Sequence, residues 1–301
     1  MIEMGSGPGG EAPAPKLYVV ATPIGNLGDM APRAIETLKS VGLIAAEDTR
    51  VTKKLLSVFG IATPMTSCHE HNESGKAARI VQRMLRSVMD VALTTDAGTP
   101  CISDPGSLLV REAVKAGLEV LAVPGPAALT VALSVSSVPI EEFSFYGFLP
   151  RARGELKEKL RDIREKSKLA VVYESPHRVA DLLRCLREVL PDTYVSCSCD
   201  LTKKHERTLR GSVSRVLEAV ENNPKAEKGE YCLVLAWGAE DRPESPEGSG
   251  MELSLEARLF DGMVKGLRLR ESMNQLIAAG ERKNAVYAAS LRLKNCLRAD
   301  G

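Results

Sequence analysis

The sequence predicts an α/β fold built from two successive α/β subdomains, with a small helical module after them. Three observations predict it. From Leu17 to Val123, short apolar runs alternate with segments of helical spacing, the rhythm of a mostly parallel sheet covered on both faces. After about Pro139 the rhythm changes, and a second alternation runs to Trp237. Beyond it EDRPESPEGSG is an acidic Pro/Ser/Gly stretch with nothing to pack, followed by helical spacing alone. The expected organisation is a disordered extension (1–15), a first α/β subdomain (16–139), a second (140–239), a linker (240–250) and a basic helical module (251–301).

Each element has a local reason. Leu17 to Ala21 is a β-type run that stops at the turn Thr22-Pro23-Ile24-Gly25-Asn26, and Ala31 to Ser40 has helical spacing with Asp29 as candidate cap. Leu43 to Ala46 reads as the next strand. The helix Thr52 to Phe59 follows, with Asp48 placed to cap it and Gly60 where a C′ glycine belongs. Met65 to Cys68 is a short strand before His69-Glu70-His71-Asn72-Glu73, and residues 75–86 are helical. Val88 to Leu93 is an apolar strand, Ser107 to Ala116 a helix, and Leu118 to Val123 a buried-type strand ending at Pro124-Gly125-Pro126. In the second subdomain Phe143 to Phe148 alternates aromatics with small residues. Then come the helix Arg153 to Glu165, the strand Leu169 to Tyr173, the helix Val179 to Val189, the strand Tyr194 to Cys199, the helix Val213 to Glu221 and the strand Tyr231 to Trp237. Ser254 to Lys265, Leu269 to Ala279 and Lys283 to Leu297 complete the chain as three short helices.

Composition narrows the function. The 301 residues are 44% hydrophobic and 26% charged, as in a globular protein with a proper core. No apolar run approaches bilayer length, and the start lacks the apolar segment of a secretory signal, so a cytoplasmic protein without a membrane partner is expected. The seven Cys are scattered without a CxxC pair, which gives neither a disulfide framework nor a structural zinc site. Net charge is only +1, which speaks against a general polyanion binder. Charge is uneven, however: Arg258 to Arg298 holds nine Lys/Arg against three acids, and Arg151 to Lys168 eight against four. Such faces can meet phosphates, although the second is equally well a solvated helix face with pairs such as Glu155 and Lys159.

The strongest sign of a ligand site is TTDAGTPCISDPG (94–106), a loop with two Gly and two Pro between a strand and a helix. Its Asp96, Thr99 and Ser103 carry hydrogen-bonding groups, and its glycines let backbone approach a ligand. ATPIGN (21–26), VPGPAAL (123–129) and VVYESPHR (171–178) repeat the pattern of an apolar strand ending in a turn-forming or polar cluster. Strand ends in one sheet line one edge, so clusters distant in sequence can converge, with a cleft between the two subdomains as the natural site. No cluster contains GxGxxG with a following acid or GxxxxGK[ST], so dinucleotide and P-loop readings are weak.

Together with these, AAEDTR, HEHNE, FYGFLPR, LTKKHERTLRG and KGEYCLVLAW occur in an order that resembles the ribosomal RNA small subunit methyltransferase I family, cytidine 2′-O-ribose enzymes within the tetrapyrrole methylase superfamily. The likeness runs from about Lys16 to Trp237, and GERKNAVYAASL is similar to the family's C-terminal helices. The resemblance implies two α/β subdomains of tetrapyrrole methylase type with the donor cleft between them and a C-terminal helical module. It further implies S-adenosylmethionine as methyl donor, a homodimer, and a decoding-centre cytidine of 16S rRNA in the small ribosomal subunit as acceptor. The implied donor pocket falls on Pro23, Ile24, Asp96, Ala97, Gly98, Thr99, Ile102, Ala127, Ala128, Glu174 and Leu201. No metal is expected: His69 and His71 lack a third ligand at suitable spacing.

A ribose hydroxyl is a weak nucleophile, so a neighbouring base is expected. Asp48 and Glu47, His69 and His71, and Lys203 are the candidates, and the sequence does not choose among them. Arg50, Arg151 and Arg178, with Lys203, are candidates for substrate phosphates. Glu174 and Arg178 also suit a simple turn pair, and Trp237 and the Phe143 to Phe148 aromatics suit a core or dimer interface better than base stacking. Two rivals remain: methylation of a tetrapyrrole carbon, disfavoured because the first turn reads TPIGN rather than GxGPGD, and a non-catalytic RNA-binding assembly protein, disfavoured by the intact DAGTP and VPGPAA turns.

Overall fold

The computed structural model describes residues 14–70, 72–224, 226–238, 255–264, 267–279 and 281–296. The expected linker, His71 and most of the N-terminal extension lie outside these residues. The chain divides into two compact units, Met1–Arg242 and Pro243–Gly301.

The first half of the larger unit is an all-parallel sheet in the order β3-β2-β4-β1-β5, formed by β1 (Lys16–Val20), β2 (Leu43–Ala46), β3 (Met65–Ser67), β4 (Val91–Thr94) and β5 (Glu119–Val123). Every residue of β2 and β4 is buried, which is why both read as unbroken apolar runs. Successive side chains serve opposite layers. Ile44, Ala46 and Ala92 pack with α1 (Pro32–Ser40) and α2 (Thr49–Val58), whereas Leu43, Ala45, Val91 and Leu93 pack with α3 (Glu73–Ser87) and α4 (Ser107–Lys115).

Several details differ from the sequence expectation for local reasons. Helix α2 starts at Thr49 rather than Thr52, because the Asp48 side chain accepts from the Arg50 backbone N–H and caps it there. Asp29 does not cap α1. The N-cap is Ala31 without a side-chain bond, Pro32 fills the first helical position where no donor is needed, and Asp29 ends a 3-10 turn capped by Asn26. Strand β4 begins at Val91 rather than Val88, since Val88 is the left-handed cap of α3 (φ 45°).

The second half of the unit is a mixed sheet in the order β6-β7-β10-β8-β9. Its strands are β6 (Ser144–Phe148), β7 (Leu169–Glu174), β8 (Tyr194–Cys199), β9 (Arg207–Ser212) and β10 (Tyr231–Ala236); β6 and β7 are parallel and the other pairs antiparallel. One face packs against α6 (Arg153–Lys166), α7 (Val179–Val189) and α8 (Val213–Glu221). The other is covered by α5 (Ala128–Ser134), which leaves the last strand of the first sheet and buries Ala132 and Leu133 against Val171, Val234 and Ala236 of the second. Ile24 from the first turn and Leu201 join that same cluster.

The smaller unit contains α9 (Leu255–Val264), α10 (Leu269–Ala278) and α11 (Lys283–Cys296) around Leu259, Val286, Ala289 and Leu293. Arg258 pairs with Glu281, and Arg292 with Glu256 at 2.5 Å. Among the described residues no helix is long and apolar enough to cross a membrane.

Candidate functional site

Because the first sheet is parallel throughout, the turns after β1, β2, β4 and β5 emerge at one edge, and backbone hydrogen bonds tie them together. Thr22 N–H donates to the Gly98 carbonyl at 2.8 Å and Gly98 N–H returns to the Thr22 carbonyl at 3.0 Å. The Thr22 hydroxyl donates to the Thr95 carbonyl and the Thr99 hydroxyl to the Pro126 carbonyl, both at 3.2 Å. Gly98 has φ +86°, and a Cβ there would stand 3.3 Å from the Ile24 Cγ2 methyl, so glycine supplies both the turn and the close approach. Gly25 allows a close approach to the second lobe: a Cβ would lie 3.2 Å from the Leu201 carbonyl oxygen and 2.5 Å from Lys203 Cγ.

The 94–106 loop is anchored from the rear by Glu73, which is almost fully buried. One carboxylate oxygen, Oε1, accepts from the backbone N–H groups of Gly106, Leu108 and Leu109 at 3.0, 2.7 and 3.1 Å. It thereby satisfies donors at the start of α4 that would otherwise be orphaned. A glutamate at the start of α3 thus fixes the entry of α4 and the loop leading into it.

The turns enclose a cavity of about 350 Å³ between the two lobes. Ile24, Ala97, Gly98, Thr99, Ile102, Ala127, Ala128, Glu174 and Leu201 line it. Of the positions expected around a donor, Pro23 and Asp96 are not on its wall; Pro23 is buried beside Ile24. Ser103, a hydrogen-bonding residue of the 94–106 loop, is on the wall too, which also holds residues not singled out for binding in the sequence: Asp104, Tyr173 and Phe148, together with Ser175, Pro176, Glu230, Tyr231 and Cys232.

The carboxylates around the cavity differ in environment. Glu174 has a fully buried side chain: Oε1 accepts from Ser175 N–H at 2.7 Å, and Oε2 lies 3.3 Å from an Arg178 guanidinium nitrogen as an ion pair lacking hydrogen-bond geometry. Burial raises its pKa, countered by Ser175 and Arg178. Glu230 is tied to Lys203 at 3.1 Å. Asp104 forms no ion pair among the described residues. Burial first, and then the negative charge of Glu47, push its pKa up to about 6, although a Thr95 hydrogen bond pulls the other way.

Among the described residues, none of the candidate bases Glu47, Asp48, His69 and Lys203 is on the wall. Glu47 Oε2 accepts from the Thr95 hydroxyl at 2.5 Å and from Asp96 N–H at 3.2 Å, and Asp96 accepts from Asp48 N–H at 3.1 Å. Asp48 caps α2 and pairs with the exposed Arg50 at 2.6 Å, which holds its pKa down to about 2. Lys203 is bound to Asp200 at 2.8 Å and to Glu230; desolvation lowers its pKa, but the two carboxylates outweigh that and raise it overall. His69 contacts Asn72 at 2.7 Å at the start of α3. Arg178 donates to the carbonyls of Pro150 and Leu149 at 2.9 and 3.3 Å, so it braces the segment that carries the exposed Arg151.

Comparisons with known proteins agree with this architecture. The family model of Tetrapyrrole (Corrin/Porphyrin) Methylases matches residues 16–217. The chain is 39% identical over 276 residues to Ribosomal RNA small subunit methyltransferase I of Bacillus subtilis, covering 91% of this chain and 93% of that protein. It is 42% identical over 284 residues to the protein of the same name from Synechocystis, covering 92% and 98%. Among solved structures, uroporphyrin-III C-methyl transferase from Thermus thermophilus complexed with S-adenyl homocysteine shares the fold at a TM-score of 0.50 and 18% identity, over 74% of this chain and 97% of that one. With two extensive matches near 40% identity on a tetrapyrrole methylase scaffold, the chain belongs to the ribosomal RNA small subunit methyltransferase I family.

Proposed function

We propose that this protein transfers a methyl group from S-adenosylmethionine to the ribose 2′-hydroxyl of a decoding-centre cytidine in 16S rRNA of the small ribosomal subunit, acting as a cytoplasmic homodimer. The observation that carries the reading is a cavity in which nine of the eleven positions expected around the donor meet beside Asp104, a carboxylate that forms no ion pair among the described residues. The cavity fits the donor in three respects: its volume is that of a cofactor site, most of its exposed lining is apolar, and Asp104 offers negative charge to a cation.

Bound S-adenosylmethionine supplies a methyl carbon made electrophilic by its sulfonium. The chain's own contribution is mainly positioning: stitched turns fix the walls that hold donor and acceptor in line, an effect worth roughly 7–11 kcal/mol. Asp104 and Glu174 would hold the donor's cationic end, with Gly98, Ala127 and Ala128 leaving room for its adenosine. Of the candidate bases, Asp48 with its pKa held near 2 and Lys203 kept as an ammonium are poorly matched to removing a hydroxyl proton. Lys203, Arg50, Arg151 and Arg178 suit phosphate positioning. Glu47 stays the carboxylate proposed for the proton, together with His71, which lies outside the described residues.

The test is twofold. The protein binds S-adenosylmethionine stoichiometrically by calorimetry, and it methylates small subunits lacking the mark at one ribose, read by primer extension, with naked transcript a poor substrate. Transfer to a tetrapyrrole carbon, or donor binding with no transfer to RNA, would overturn the reading.

A further inference from the structure

Phe148 is a large aromatic side chain left 59% exposed, on the wall of the same cavity. Its direction is set by a β-bulge. Strand β6 shifts register against β7 between Phe145 and Gly147, and Gly147 takes φ +60°. In a regular strand, residues three apart lie on opposite faces, but here Phe145 and Phe148 both meet the Tyr173 ring edge-on, at 4.9 and 5.9 Å between centroids. Phe145 and Tyr173 belong to the partly buried shell of the core beneath, whereas Phe148 is turned outward.

The mounting is rigid. Tyr173 is held from behind, its hydroxyl accepting from Leu129 N–H at 3.2 Å. After Phe148 the chain passes the buried Leu149 and the half-buried Pro150, whose carbonyls are both held by Arg178, and reaches the exposed Arg151. A fixed ring beside a reaction cavity with a cation three residues on matches the two needs of a nucleotide, a face for the base and a charge for its phosphate.

We infer that Phe148 is the positioning residue against which an unstacked nucleobase of the acceptor RNA packs at the cavity mouth. The inference rests on the proposed RNA-methylating function and adds to it a contact for the acceptor base. A ring face takes any base, so Phe148 places the nucleotide while sequence is read elsewhere.

The experiment compares the intact protein with Phe148→Ala, Phe148→Leu and Phe148→Trp. Donor affinity is measured by calorimetry with S-adenosylmethionine, kcat and KM on unmethylated small subunits, and oligomeric state by sedimentation. Phe148→Ala is expected to leave donor affinity within about twofold and to lower kcat/KM roughly 10- to 100-fold, mainly through KM. Phe148→Trp should recover most of that loss and Phe148→Leu little. Parallel loss of donor affinity would make Phe148 a donor wall, full activity of Phe148→Leu would reduce it to an apolar filler, and a changed oligomeric state would make it an interface residue; each overturns the inference. Wild-type protein that binds donor but leaves subunit RNA unmethylated would overturn the functional reading and this contact with it.

Discussion

Asp104 carries an unusual load for a single side chain. Its carboxyl is lifted from 3.8 to about 6 by burial and by Glu47, with Asp96 adding to the repulsion. A carboxyl raised on folding costs nothing below its ordinary pKa, costs more as pH climbs from about 4 to 6, and bears the full penalty above that. A cation in the cavity relieves the penalty. Donor affinity should therefore rise between about pH 5 and pH 7 and level off, with proton release on binding near pH 6. In Asp104→Asn that rise should vanish and affinity at pH 7.5 should fall roughly 10- to 100-fold, while the donor-free variant melts at a higher temperature than wild type. Calorimetry across pH, in buffers of different ionisation enthalpy, and thermal melts check all three. A lower melting temperature in Asp104→Asn would mean the carboxylate is stabilised by partners rather than waiting for one.

At the scale of elements, the pocket depends on how helices are started. Glu73 ends three backbone N–H groups of α4 from the first turn of α3. Glu73→Ala should destabilise the protein by roughly 2–3 kcal/mol, since buried donors lose their acceptor. Glu73→Gln, which keeps an acceptor, should lose less. Denaturant titration gives the stabilities, and donor calorimetry tells whether the 94–106 loop loosens with the helix start. The elements that carry the pocket are largely legible in the sequence. Gly or Pro punctuates the turns after β1, β4, β5 and β7 that reach it, and β8, α7 and α8 span the expected residues because apolar periodicity and turn residues agree there. Strand β9 is not legible: Arg207-Thr-Leu-Arg-Gly-Ser contains no apolar run, and as an edge strand paired only with β8 it needs none. Helix α5 is hidden for another reason, its seven residues following Pro-Gly-Pro too closely to display a period. Within the site, Asp104 sits in a conspicuous loop, yet nothing in its neighbours' identities marks it as the half-buried carboxylate without a cation. The outward turn of Phe148 depends on a bulge that alternation alone does not announce.

The molecule as a whole separates two tasks. Every residue lining the cavity belongs to Met1–Arg242, which contains both sheets and four of the five apolar clusters. Pro243–Gly301 has its own small core, and within it Arg258 to Arg298 holds nine Lys/Arg against three acids, with Arg268, Arg270, Arg282 and Lys283 exposed on the described surface. Donor chemistry needs the first set of residues and gains nothing from the second, whereas capture of a polyphosphate gains from each added cation, by about one unit in the slope of log affinity against log salt per phosphate met. A protein ending at residue 242 should therefore bind S-adenosylmethionine with unchanged affinity. It should bind unmethylated small subunits more weakly, and with a salt slope reduced by roughly 2–4 units. Quadruple replacement of Arg268, Arg270, Arg282 and Lys283 by Gln in the full chain should reproduce the change in slope, which removes loss of folding as an explanation. Equal weakening of donor and subunit binding, or a salt slope that stays put, would show that the basic helices support the cavity rather than the RNA.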